Sequence, residues 1–185
     1  MIKLDKLKNP LSIKGKLVIL KTFTEENITD EYLSWLNDYA VVQYSNQRFK
    51  KHTYETSSDY LKSFSNTENL FFAIYLKDLH RYVGTMSVYV SSAHQTADIG
   101  IMVGDKSCWG RGVGGDAWNI ILTWLIDVVK IRKVTGGTLS CNANMVKIMI
   151  KAGMKPDGIR LGHELVENKA KDVVYFAKFN SIKMS

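Results

Sequence analysis

Four glycines, Gly110, Gly112, Gly114 and Gly115, stand in the six positions that follow Trp109, with Arg111 among them and Asp116 behind. Glycine lets the main chain turn sharply and lets a ligand approach the backbone closely. Where such a run opens a helix, the first N–H groups are unpaired and carry partial positive charge, which suits a phosphate or pyrophosphate. Arg111 adds a charged donor at the rim. A tight turn that simply requires glycine conformations is the other reading of any Gly-x-Gly. The density of glycine, the arginine and the helical stripe that follows favour anion binding. Two nucleotide motifs compete. Gly112 to Ala117 fits G-x-G-x-x-A, but Arg132 and Lys133 stand where an acidic ribose ligand belongs, and no Gly-Lys-Ser/Thr completes a P-loop.

The elements around this run set its context. Residues 70–76 are an aromatic and aliphatic run that reads as a buried strand, and 82–91 with 96–103 read as a hairpin joined by the polar residues 92–95. From Gly112 the apolar period lengthens to three and four, through Val113, Ala117, Ile120, Ile121, Trp124, Leu125 and Val128. That is the stripe of a helix packed on a sheet. The glycine-rich run therefore joins a strand to a helix. Ahead of it lie a strand at 16–22 and helices at 30–37 and 57–64. Behind it come a strand at 134–140, a short helix at 144–152 closed by Gly153, and a final strand pair at 158–167 and 173–179.

Composition narrows the class. The 185 residues, 45% hydrophobic, suit one α/β domain spanning 1–185. No apolar run reaches membrane-spanning length, and residues 1–6 lack the features of a signal peptide, so a cytoplasmic location without membrane association is expected. Cys108 and Cys141 lack the paired spacing of a zinc site, and no metal is expected. His52, His80 and His94 fall in polar stretches and read as solvated. The net charge of +7 favours anionic partners, yet no helix-turn-helix, zinc-finger or aromatic-basic RNA motif is present, and nucleic acid is not expected.

Ala97-Asp98-Ile99-Gly100-Ile101-Met102-Val103 followed by Trp109-Gly110-Arg111-Gly112-Val113-Gly114 resembles the strand, turn and helix of the GNAT acetyltransferase superfamily. Within it, the likeness is to ribosomal-protein N-terminal acetyltransferases and relatives that act on amino sugars, and it extends over residues 17–179. The resemblance implies a GNAT fold of the α/β (α+β) class. Its central sheet is mixed, mostly antiparallel and twisted, with about six to seven strands flanked by helices. It implies acetyl-CoA as co-substrate and a primary amine of a small molecule as acceptor, and dimers are common among relatives, so a homodimer is possible. It assigns the pyrophosphate to Trp109, Gly110, Arg111, Gly112, Val113, Gly114 and Gly115. The thioester arm goes to the main chain of Ile101, Met102 and Val103, where a strand-pairing gap is implied. Asn142, with Asn144 as a weaker neighbour, inherits a role on the pantetheine arm, and helix capping is its other reading. Met154 replaces a phenylalanine, which reads as a change of packing. Met149 stands where many members carry a proton-donating tyrosine, so no general acid is assigned.

Asp98 occupies the place of a glutamate base in many members and is expected to deprotonate the acceptor ammonium through water; a carboxylate paired with a lysine is its alternative. His163, on the last strand pair, is expected as an auxiliary base, with a structural histidine as the other reading. Trp35, Asn37 and Asp38, then Gln47, Arg48 and Phe49, fall in the region that walls the acceptor cleft in relatives, and Asp172 lies on the last strands. Arg48 suits an acceptor phosphate or carboxylate, or a surface ion pair. Tyr32 to Asp38 and Gln47 to Phe49 resemble relatives that acetylate nucleotide-linked amino sugars. That makes an amino-sugar amine the leading acceptor, with a peptide N-terminus second and a polyamine third. A non-catalytic acetyl-CoA-binding module is the reading of another class.

Overall fold

The computed structural model describes residues 12–180; the leader-free start read at residues 1–6 lies outside them. Strand β3 (Leu70–Leu76) is apolar at every position except for its tyrosine hydroxyl because both its faces are covered. Phe72 and Ile74 point into one core with no exposed surface, and Phe71 and Ala73 into another. Around β3, eight strands form one continuous sheet in the order β1-β2-β3-β4-β5-β6-β8-β7. They are β1 (Ser12–Lys14), β2 (Val18–Thr22), β4 (Tyr82–Ser91), β5 (Thr96–Val103), β6 (Lys133–Leu139), β7 (Lys155–Val166) and β8 (Lys169–Phe179). Every pairing is antiparallel except β5 with β6.

The sheet is thus mixed and mostly antiparallel, as expected, with eight strands instead of six or seven. The additional strand is β1, three residues too short to show a period of two in the sequence. Hairpin β4-β5 turns through 92–95 as read, with Gln95 at φ 54°.

On one face, α4 (Val113–Thr123) runs into a π-helical turn at Trp124–Val129 and packs with α5 (Ala143–Lys151) over the larger core. On the other face, α1 (Asp30–Leu36) and α3 (Tyr54–Lys62) cover a smaller core rich in aromatic rings, from Phe23, Tyr32 and Trp35 to Tyr60, Phe64 and Phe71. Thr29 caps α1, its hydroxyl accepting from Tyr32 N at 3.2 Å. A four-residue helix, α2 (Tyr39–Val42), was too short to be legible; Asp38 caps it by accepting from Ala40 N at 3.0 Å.

One carboxylate fastens the sheet edge to α4. Asp116, in the first turn of α4, accepts from the backbone N–H groups of Lys16, Leu17 and Val18 at 3.2, 2.8 and 3.1 Å. Gly15 is required beside it, since a Cβ there would fall 2.4 Å from Asp116 Oδ2. The arrangement turns the negative charge of Asp116 toward the β1-β2 turn. Asp116→Ala is therefore expected to lower unfolding free energy by about 2 kcal/mol, the scale of lost hydrogen bonds to a charged group. Denaturant titration measures this, and an unchanged midpoint would show that solvent replaces the carboxylate without loss.

Candidate active site

Strands β5 and β6 pair only at Thr96–Asp98 against Lys133–Thr135, although β5 continues to Val103 and β6 to Leu139. Beyond Asp98 the two strands diverge. Hydrogen-bonding direction alternates along a strand, and Gly104 N donates to Val83 O at 2.9 Å while Met102 stands opposite Thr85. The main-chain groups of Met102 are therefore turned to β4, and those of Ile101 and Val103 face the opening. This corrects the expectation for Met102, whose side chain instead packs against the aromatic core. The indole Nε1 of Trp109 donates to Val103 O at 2.8 Å and pins the following turn to the end of β5.

That turn has Gly110 at φ 74° and Gly112 at φ 84°, left-handed conformations that other residues adopt only at a cost. Gly112 is the N-cap of α4, and the first helical bond runs from Asp116 N to Gly112 O at 2.9 Å. The N–H groups of Val113, Gly114 and Gly115 precede it, at the positive end of the helix. A Cβ on Gly110 or Gly115 would meet nothing within 4 Å, so the approach is open, and Arg111 is exposed beside it. Gly114 also lets α4 lie close to β5, with Val103 and Ile101 3.4 and 3.9 Å from its Cβ position. These features fit a pyrophosphate at the turn and an extended arm along the opening.

Asp98 sits at the vertex of the divergence, the last residue of β5 paired to β6. Thr135 Oγ1 donates to its Oδ2 at 2.6 Å, and Tyr89 stands opposite it on β4. More than a third of the residue is open to solvent, yet the protein packed around the carboxyl raises its pKa, outweighing the lowering hydrogen bond from Thr135. No lysine pairs with it among the described residues. Across the strands, Thr135, Gly137 and Tyr175 share its face of the sheet. Nearby, the Tyr89 and Tyr60 hydroxyls lie 2.7 Å apart, and burial pushes the Tyr60 hydroxyl up.

Several candidates occupy other roles. Trp35 is 6% exposed: its indole packs against Gly104, where a Cβ would fall 2.1 Å from the ring, and its ring centroid lies 5.1 Å from that of Tyr82. It is core because the helical face that carries it turns inward. Asn37 joins α1 to the segment before α3, accepting from His52 N and donating to His52 O, both at 2.9 Å. Asp38 pairs with Lys106 at 2.6 Å, which holds its carboxyl below the usual range. Arg48, its side chain 4% exposed, donates to Ser45 O at 2.6 Å, to Leu165 O at 3.0 Å and to Glu164 at 3.3 Å. Its donors fasten residues 45–49 to the end of β7. Asp172 accepts from Gly162 N at 2.8 Å and holds the β7-β8 irregularity. Thus the side chains of Asn37 and Arg48 are engaged by backbone groups and by Glu164, whereas Asp172 accepts one backbone hydrogen bond.

Asn142 caps α5, its Oδ1 accepting from Met145 N at 3.3 Å while its Nδ2 donates to Thr138 Oγ1 at 3.1 Å. Asn144 is exposed on the first turn of α5. His163 is exposed at the β7 irregularity beside Arg160, whose Nη1 is 3.4 Å from its Nε2, and two strands, β6 and β8, lie between it and Asp98. The expected pair of bases is not brought together. Met149 has no exposed surface and lies in the larger core, where it takes no part in proton transfer.

Two features escaped sequence reading. Gly136 and Gly137 lie between large rings on opposite faces: a Cβ would fall 2.7 Å from the Trp118 ring at Gly136 and 2.8 Å from the Tyr175 ring at Gly137. A glycine pair inside a strand pattern is the available signal. Met154 is more than a packing change, since Trp118 Nε1 lies 3.3 Å from its sulfur, and donates to it in the core.

Residues 18–155 match the family model for the acetyltransferase (GNAT) domain. The probable N-acetyltransferase YjcK of Bacillus subtilis is 23% identical over 155 residues, 80% of this chain and 85% of that protein. The structure of RimL, the ribosomal L7/L12 alpha-N-protein acetyltransferase in complex with coenzyme A, superposes with a TM-score of 0.79 at 14% identity, covering 92% of this chain and 98% of that one. Spermidine N-acetyltransferase from Vibrio cholerae, in complex with CoA and spermine, gives 0.78 at 14% identity, covering 89% and 96%.

The raised Asp98 pKa has a consequence for stability. A carboxyl with a higher pKa folded than unfolded binds its proton more tightly in the native state, so its contribution favours folding at low pH and fades as pH rises through the folded pKa. Asp98→Asn is expected to be at least as stable as the wild type at pH 7. The gap should shrink as pH falls from the raised value toward the ordinary 3.8. Denaturant melts across that range check it, and a variant less stable at pH 7 would contradict the burial argument.

Proposed function

The chain belongs to the GNAT acetyltransferase family, and from that premise we propose that it acetylates the primary amine of an amino sugar or nucleotide-linked amino sugar in the cytoplasm. It is an N-acetyltransferase with acetyl-CoA as co-substrate. The observation that carries the acceptor chemistry is the position of Asp98, at the vertex where β5 and β6 part, with its carboxyl pKa raised by burial.

In this reading the pyrophosphate of acetyl-CoA is held by the N–H groups at the start of α4, with Arg111 at the rim, and Trp109 fixes the turn. Acetyl-CoA supplies the acetyl thioester. The acceptor approaches as an ammonium from the face that carries Thr135 and Tyr175. Asp98, oriented by Thr135, takes its proton through a water molecule, and the freed nitrogen lone pair attacks the carbonyl carbon. Main-chain N–H groups of Ile101 and Val103 face the opening and stabilise the oxyanion there. The carbon–sulfur bond then breaks as the nitrogen gives up a second proton to solvent, leaving the N-acetyl amide and a thiolate that takes up a proton from solvent.

The net charge of +7 supports an anionic acceptor over a polycation, although the spermidine enzyme from Vibrio cholerae shares the fold. A peptide N-terminus is the second reading, favoured by the likeness to RimL.

A thiol-release assay with acetyl-CoA and a panel of amino sugars, nucleotide-linked amino sugars, peptides and polyamines tests the proposal. Turnover is expected with the sugar amines, rising with pH as Asp98 ionises. Asp98→Asn should lower kcat by roughly 10²- to 10⁴-fold, the range of general-base catalysis, with KM for acetyl-CoA unchanged. Acetyl-CoA binding without turnover of any acceptor would instead indicate a non-catalytic binding module.

A further inference from the structure

The sheet face that carries Asp98 continues across β8 to β7 and ends in a group of side chains that the chemistry above leaves unused. Tyr175 stands opposite Gly137 on one side and Gly158 on the other, and Arg160 stands opposite Val173, two residues along. All share the face of Asp98 by the alternation of the strands. The guanidinium of Arg160 lies 5.2 Å from the Tyr175 ring centroid. Together with Asp157, Gly158 and Ile159 these two residues line an open pocket of about 280 Å³.

The charges around that pocket are distributed unevenly. Asp157 is held by Lys133 at 2.8 Å, and Glu164, further along β7, is held by Arg48 at 3.3 Å. Asp172 accepts from Gly162 N. Each nearby carboxylate therefore has another partner, and among the described residues no carboxylate lies within ion-pair distance of Arg160. Its polar neighbour is His163 at 3.4 Å, where the guanidinium can only donate and Nε2 accepts. A permanently charged planar fork, stacked on an aromatic ring and without a counter-charge, matches a phosphoryl group.

We propose that Arg160, backed by Tyr175 and His163, binds a phosphoryl group of the acceptor whose amine is presented to Asp98. The proposal rests on the acetyltransferase reading and narrows it to phosphorylated amines. Asp98 is level with Ala177 and Arg160 with Val173, so their backbones stand three strand spacings apart across the sheet and four residues apart along it, roughly 19 Å, which the arginine, folded back over Tyr175, and the water at Asp98 shorten from both ends. The separation suits a sugar ring between amine and phosphate, whether the phosphate ends the molecule or continues into a nucleotide.

Calorimetric titration of the full chain, first saturated with CoA so that the start of α4 is filled, tests this. The probes are glucosamine 1-phosphate and uridine diphosphate, with neutral glucosamine as control. Saturable binding of at least one phosphorylated probe is expected, weakened roughly 10- to 100-fold by Arg160→Met, the loss expected for a charge-assisted pair. Arg160→Lys should recover only part of it, and both variants should bind CoA as the wild type does. Preference for glucosamine 1-phosphate would indicate a sugar phosphate, and preference for uridine diphosphate a nucleotide-linked sugar. Absence of saturable binding by both phosphorylated probes, or equal affinity in Arg160→Met, would overturn the proposal while leaving the acetyltransferase reading intact. Failure of CoA to bind the wild type would strike that reading instead.

Discussion

The parting of β5 from β6 after only three paired residues is the constraint on which the rest of the site depends. A parallel pair that continued to Val103 and Leu139 would close its own hydrogen bonds and leave no main-chain groups for a ligand. Because the strands separate, Ile101 and Val103 face an opening, and Asp98 becomes the last fixed point before it. The helix that follows β5 then begins beside the same opening, so the anion-binding end of α4 and the base stand along one path. Asp116 holds that helix end to the β1-β2 turn from behind, with its charge directed away from the path.

Beside the parting, β6 is packed closely on both faces. Trp118, 1% exposed, reaches up from α4 against Gly136, and Tyr175 lies over Gly137 on the opposite face. Any side chain at either glycine would collide with a ring. The Trp118 indole is in turn fixed by its hydrogen bond to the sulfur of Met154, so the residue after Gly153 contributes to the position of β6. The glycine pair is therefore a packing requirement whose outcome is a smooth floor between Asp98 and the last strands.

The acceptor side is made by fasteners. The segment between α1 and α3 is joined to the rest by Asn37 with His52, Asp38 with Lys106, and Arg48 with Glu164. The Arg48 pair is well shielded and carries additional bonds to backbone carbonyls, the circumstance in which a buried charge is tolerated. These pairings engage Asp38, Arg48, Lys106 and Glu164, whereas Asp98 and Arg160 have no ion-pair partner among the described residues. One is a carboxyl whose proton is held more tightly by burial, the other a cation that cannot lose its proton.

Local patterns were legible in the sequence because they depend on spacing alone. The continuous apolar run of β3, the hairpin of β4 and β5, the change to a helical stripe at Val113, and the glycines and arginine before it marked the strand, turn and helix, and the resemblance of those residues to a known family implied the co-substrate. Strands of three residues and helices of four, such as β1 and α2, are shorter than the periods that would reveal them. Which groups face a ligand was decided by the tertiary structure. Met102 differs from Val103 only by the alternation of a ladder, Trp35 by the face its helix turns inward, and Arg48 by a partner 116 residues away. Residue type sets what chemistry a side chain can perform, but the partner that satisfies or frees it comes from strands distant in the chain, and only folding brings them together.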